Sequence, residues 1–287
     1  MLEMLVNPKK AERRPWEMLI VGFFYSSLAL LLVNLAFGKD AILSQYSGIL
    51  VVTFTVMFST PFIYYTIKLE ENRINPKSGS VSLLYEHRNA IYAFLFLFVG
   101  FLIAFSLWYI IFAPVESFKP QIETYCAINK PSTFNDCTVQ YGIKQSSYST
   151  AAVAGAKDHL ILIFTNNIYV LIFTLIFSLI FGAGAIFVLV WNASVIAAAI
   201  GIFSKLDISA LPLGFFRYMA IHGMLEIAAY FIVALAGGLV SIAVIKHEFG
   251  TEKFWEVLQD SLNLIILAVI ILFVAAVLEV FVTPLIF

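Results

Sequence analysis

Long apolar runs alternate with short polar breaks along this chain, and the runs are longer than a buried helix of a soluble domain requires. Glu17–Phe37, Leu43–Ile67 and Ala90–Ala113 each reach the roughly 20 apolar residues that carry a helix across a bilayer. Leu160–Phe203 contains no acid or base and is about twice the length that one span needs, with Gly182-Ala183-Gly184 at its middle. Dividing it there predicts spans over Leu160–Phe181 and Ala185–Phe203. Phe215–Ile245 and Leu258–Phe287 complete the series. The pattern predicts an all-α, polytopic helical membrane protein of seven spans, or of six if 160–203 is a single bent helix.

The polar stretches divide the chain. Residues 1–67 are a basic head followed by a transmembrane hairpin turned at Gly38-Lys39-Asp40, with Pro61 expected to bend or weaken its second helix. Residues 68–89 form a polar loop with a turn at Asn75-Pro76, and 90–287 form the remaining membrane core. The core includes Pro114–His159, a short segment too small to hold a core of its own, which must lean on the spans or on a disulfide. Its Ala-rich end (Ala151, Ala152, Ala154, Ala156) reads as a helix leading into the membrane. The Glu70-Glu71-Asn72-Arg73 run at the membrane edge reads as a solvated loop. Lys205–Gly214 and Lys246–Glu256 are short connections.

Composition agrees with this division: the 287 residues are 61% hydrophobic and 12% charged, with 28 Phe. The net charge of −1 carries no message about partners, and no basic block points to nucleic acid. The bilayer is the first partner, with protein partners or a second copy beside it. Lys9, Lys10, Arg13 and Arg14 precede a run of full spanning length, which reads as an uncleaved first span in a multi-pass protein of the cell membrane. Basic residues in the head and in the 68–89 loop place the N-terminus in the cytoplasm and the 114–159 segment outside. There Cys126 and Cys137 are expected to form a disulfide.

Candidate chemistry lies inside the spans. His222 and Glu226 stand four apart and share one face of a helix, and Glu279 lies in the last span. An acid at mid-membrane costs about 2.5–3.5 kcal/mol on insertion scales, so such groups pair, line a cavity or do chemistry. In the seven-span arrangement, Asn166, Asn167, His222, Glu226 and Glu279 share one depth in the outer half. Three readings stand open: a hydrogen-bonded clamp between spans, a divalent-metal site such as zinc, or a proton or ion relay. In the metal reading His222, Glu226 and Glu279 are the ligands, while Asn166, Asn167 and Asn192 orient them from behind. Asn192 by itself reads as an interhelical hydrogen-bonding amide, and Gly182, Gly184, Gly201, Gly237 and Gly238 as points of close helix contact or turning. No phosphate loop, nucleophile elbow, His-Glu-x-x-His or dinucleotide motif is present.

Taken in order, Asn166-Asn167-Ile168, Phe181-Gly182-Ala183-Gly184, Trp191-Asn192, His222-Gly223-Met224-Leu225-Glu226, Ala236-Gly237-Gly238 and Leu278-Glu279-Val280-Phe281-Val282-Thr283-Pro284 resemble the stage II sporulation protein M family. The resemblance runs over about residues 90–287 and leaves the hairpin outside it. It implies a polytopic membrane protein that, in spore formers, works in a complex with a cell-wall hydrolase during engulfment. The family also occurs in organisms that make no spores. What the resemblance implies here is a membrane scaffold or assembly component, with a metal-dependent intramembrane enzyme and a transporter or channel component as the alternatives.

Overall fold

The computed structural model describes residues 8–40, 42–71, 85, 87–112, 115–130, 133–143, 156–181, 186–205, 212–213, 216, 221–245 and 250–286. The Asn75-Pro76 turn, the Gly182-Ala183-Gly184 break and most of the Ala-rich stretch lie outside them. The helices are α1 (Pro8–Arg13), α2 (Glu17–Phe37), α3 (Ser47–Glu71), α4 (Arg88–Phe112), α5 (Val115–Asn129), α6 (Phe134–Gln140), α7 (Ala156–Phe181), α8 (Ile186–Lys205), α9 (Gly223–Ile245), α10 (Glu252–Val277) and α11 (Thr283–Ile286). Among the described residues there is no strand.

Among the described residues, six helical stretches are long and apolar enough to cross a membrane: α2, α3, α4, α7, α9, and α10 continuing through α11. The apolar part of α8, Ile186–Ile202, is shorter. Hydrogen bonds nonetheless make α8 a crossing. Asn167 and Ser178 of α7 bond Glu226 and Ala234 of α9 in that order, so α7 and α9 run in the same direction. The chain between two parallel helices must come back across, and α8 is the described element that does so. Its far end agrees, since Gly201 lies against the ring of Tyr109 near the end of α4. The seven-crossing arrangement follows, with the last helix ending on the side that carries α5 and α6.

Two packed groups make up the bundle. In one, α2 packs on α4, α4 on α8, and α3 on α2 and α8; in the other, α7, α9 and α10 pack together. Helix α9 joins them by also touching α3 and α4. Its Phe231 stacks on Phe94 at 5.6 Å and meets Phe98 edge-on at 6.2 Å. Helix α9 is therefore mostly enclosed, whereas α7 and α10 leave most of their length facing outward.

Local chemistry accounts for the element ends. Asp40 turns the hairpin by accepting the N–H groups of Leu43 at 2.8 Å and Ile42 at 2.9 Å, which hold its carboxyl below the usual carboxylate range. Pro61 does not stop α3, which runs on to Glu71. The Thr251 hydroxyl caps α10 by accepting the Phe254 N–H at 3.2 Å. In the span expected over Phe215–Ile245, helix α9 begins at Gly223, so His222 stands at its entrance.

The outer segment leans on both of its expected supports. Cys126 of α5 and Cys137 of α6 form a disulfide with Cα atoms 5.9 Å apart. Closing so short a loop is worth about 3 kcal/mol in the chain-entropy account. The Gln121 amide donates to the Gly48 carbonyl at 3.1 Å, and the Ser117 hydroxyl to the Asn34 side chain at 3.2 Å. Phe118 packs edge-on against Tyr109 and Phe105 of α4. Helix α5 thus caps the hairpin end and the end of α4.

Candidate functional site

The polar groups of the last spans converge where α7, α9 and the end of α10 meet. Asn167 is the hub. Its amide nitrogen donates to Glu226 Oε1 at 2.6 Å, and its oxygen accepts the Tyr230 hydroxyl at 2.9 Å. Glu226 and Tyr230 are one turn apart on α9, so a single Asn side chain on α7 bridges both. Asn167 is 7% exposed and Tyr230 is 2% exposed, so these bonds lie in surroundings where a lost partner is costly.

His222 reaches the other way, toward the end of α10. There the sequence Thr283-Pro284 shapes the backbone. Pro284 has no N–H to give to Val280, and the preceding turn, Leu278–Val282, opens into a π-helical turn. The Thr283 N–H and hydroxyl both donate to the Leu278 carbonyl, the hydroxyl at 3.2 Å. Thr283 Oγ1 lies 3.1 Å from His222 Nδ1. Nε2 is the ring atom turned to Glu279, whose Oε1 lies 3.9 Å from it. Glu279 also lies close enough to Glu226 for the charge of one to bear on the other.

Among the described residues no three His, Cys, Asp or Glu side chains converge as a ligand set. Glu226 Oε1 is taken by Asn167, His222 Nδ1 is taken by Thr283, and Nε2 stands off Glu279 at 3.9 Å.

A family model for stage II sporulation protein M matches residues 18–284. This chain belongs to the stage II sporulation protein M family. An uncharacterized protein of Methanocaldococcus jannaschii is 30% identical to it over 126 residues, 42% of this chain and 69% of that relative. No solved structure matches. The stage II sporulation protein M match takes in the N-terminal hairpin, which the resemblance over 90–287 had left outside.

Within this family member the expected site residues separate. His222, Glu226, Glu279 and Asn167 come together, as just described. Asn166 is exposed on α7. Asn192 donates to the Val188 carbonyl at 2.7 Å, one turn back in its own helix. Gly237 packs against Ser178, whose hydroxyl donates to the Ala234 carbonyl at 2.5 Å, so the glycine does permit close approach of α7 and α9. Tyr230 and Thr283 also belong to the network, Thr283 from within the Leu278–Pro284 motif.

A second buried pair stands at the opposite end of the bundle. Glu70, at the end of α3, and His87, just before α4, are both fully buried, with Oε2 and Nδ1 2.6 Å apart. This corrects the reading of Glu70 as part of a solvated charge run. The pair closes the two ends of the 72–84 connection against each other.

Proposed function

We propose that this protein is a membrane scaffold or assembly component, held in shape by the His222–Glu226–Glu279 region acting as a helix clamp. The observation that supports this reading is the mutual engagement of the network. Asn167 binds Glu226 and Tyr230, and His222 binds Thr283, so the polar side chains tie α7, α9 and α10 to one another. The bilayer surrounds the bundle, and protein partners or a second copy meet it at its outer cap and its N-terminal end.

The clamp predicts a separation of stability from partner choice. Asn167→Ala removes the shared partner of the half-buried Glu226 carboxyl and the buried Tyr230 hydroxyl and should cost about 1–3 kcal/mol in thermal unfolding of the purified protein. Glu226→Gln keeps a hydrogen-bonding group in place, so crosslinking in native membranes should capture the same partners as the wild type. Stoichiometric zinc in purified protein, lost on Glu279→Gln, would replace the clamp with a metal centre.

We further propose that the N-terminus is cytoplasmic and the C-terminal end extracytoplasmic, from the basic residues of the head and first loop. Cys126 and Cys137 are joined and therefore silent to thiol reagents. Single cysteines at Ser78 and Ile286 can then be labelled in intact cells. The reagent is expected to reach position 286 and not 78, and the reverse pattern would invert the topology.

A further inference from the structure

Acids and bases mingle in the sequence around the N-terminal end of the bundle, but the fold presents them unequally. Glu12 is 6% exposed and Glu70 is not exposed at all. Glu17 is held by Arg14 at 3.1 Å. The bases face outward: Arg13, Arg14, Lys68 and Arg88 are all exposed. Helix α1 produces part of this sorting. It packs on α3 and α4 through its buried Ala11 and Glu12, which leaves Arg13 and Arg14 outside, on the same end as Lys68 and Arg88.

The far end of the bundle is different. There Lys39 and Asp40, Lys130 and Asp136, and Lys157 and Asp158 are exposed together, so the two signs offset each other. The start of α10, at the N-terminal end, adds exposed Glu252 and Lys253, which offset each other, so among the described residues the excess of exposed bases lies on the α1, α3 and α4 side of that end, where it is accompanied by aromatics. Trp16, Tyr65, Tyr85 and Tyr92 are 56%, 47%, 65% and 51% exposed. Side chains of this kind settle at the headgroup level of a bilayer. The Arg88 guanidinium lies 3.9 Å over the Tyr85 ring, which holds a planar cation among these aromatics.

We infer that this end of the molecule is a binding surface for the anionic headgroups of phospholipids, with Arg13, Arg14 and Arg88 as the phosphate-facing cations and the neighbouring aromatics setting their depth. The combination selects lipid as the occupant. An acidic protein or a free anion would need the bases but not a ring of exposed aromatics at the ends of membrane spans. Guanidinium suits phosphate because its fork of N–H groups gives paired hydrogen bonds.

The test uses the full chain, purified in mild detergent and titrated with phosphatidylglycerol or phosphatidylcholine. Thermal unfolding and native mass spectrometry report binding. Phosphatidylglycerol should raise the unfolding midpoint and remain bound, and phosphatidylcholine should do neither. A basic residue near an anionic surface contributes about fivefold in binding (about 1 kcal/mol), so Arg13→Gln/Arg14→Gln/Arg88→Gln should weaken phosphatidylglycerol retention by about tenfold or more. The preference should also fade in about 1 M salt, where the Debye length is about 3 Å. Lys130→Gln/Lys157→Gln, at the other end, should retain it. Three results would overturn the inference: equal effects of the two lipids, an undiminished preference in the triple variant, or the full stabilisation from glycerol phosphate without acyl chains. The last result would make this a soluble-anion site.

Discussion

Gly100→Leu is expected to remove most of the folded, monodisperse protein. Helices α2 and α4 cross with two glycines face to face. A Cβ on Gly100 would lie 2.2 Å from the Leu19 carbonyl oxygen, 2.9 Å from the Phe23 nitrogen and 3.0 Å from the Gly22 Cα. One on Gly22 would lie 2.2 Å from the Leu97 carbonyl oxygen. Every one of these neighbours is backbone, so no side chain can swing aside and the helices themselves must part. Overpacking a core costs about 1–3 kcal/mol when side chains can adjust, and this crossing belongs at or beyond the top of that range. Gly100→Ala should already lower the unfolding midpoint, by less than the leucine. Ile111→Leu, at an exposed position of the same helix, should leave it unchanged. Size-exclusion profiles and thermal midpoints in detergent decide the matter, and a Gly100→Leu protein that matches the wild type would mean the helices do not touch here.

The second large effect concerns Glu70 and His87. Breaking a buried pair by removing one partner costs about 3–5 kcal/mol, whereas replacing both with apolar residues of similar size is often close to neutral. His87→Leu and Glu70→Leu are each expected to destabilise strongly, and the double variant to recover most of the loss. The recovery is the informative quantity. If the double variant loses the sum of the two single effects, the residues act independently and the 2.6 Å contact does not hold them together.

Burial of these two residues also shows where a sequence stops speaking. Charges next to a span look solvated in a linear reading, because nothing in the string Glu70-Glu71-Asn72-Arg73 tells which side chain turns inward. The pairing with His87 crosses a connection whose path the sequence does not state. His222, Glu226 and Glu279 were visible for the opposite reason, since ionisable groups inside long apolar runs stand out whatever their partners. Tyr230 and Thr283 carry no such contrast, because an aromatic ring or a hydroxyl within an apolar helix is ordinary until its hydrogen bond is seen. Asp260, 8% exposed near the start of α10, has little contrast with its surroundings because it sits at the edge of its apolar run. The seven crossings were legible from length and from the shared depth of polar groups. The π-helical turn that brings Thr283 to His222 was not, although Pro284 marks its place.

The packing of α2 has a consequence for how the protein is made. Its notch at Gly22 is filled by α4, and it packs more extensively on α4 than on α3, its own partner in the hairpin. Helix α5, later still, supplies the groups that meet Asn34 and Gly48 at the hairpin tip. The first two spans therefore find their principal contacts only in segments made after them. Assembly has an order imposed on it: a hairpin of α2 and α3 alone lacks its most extensive neighbour.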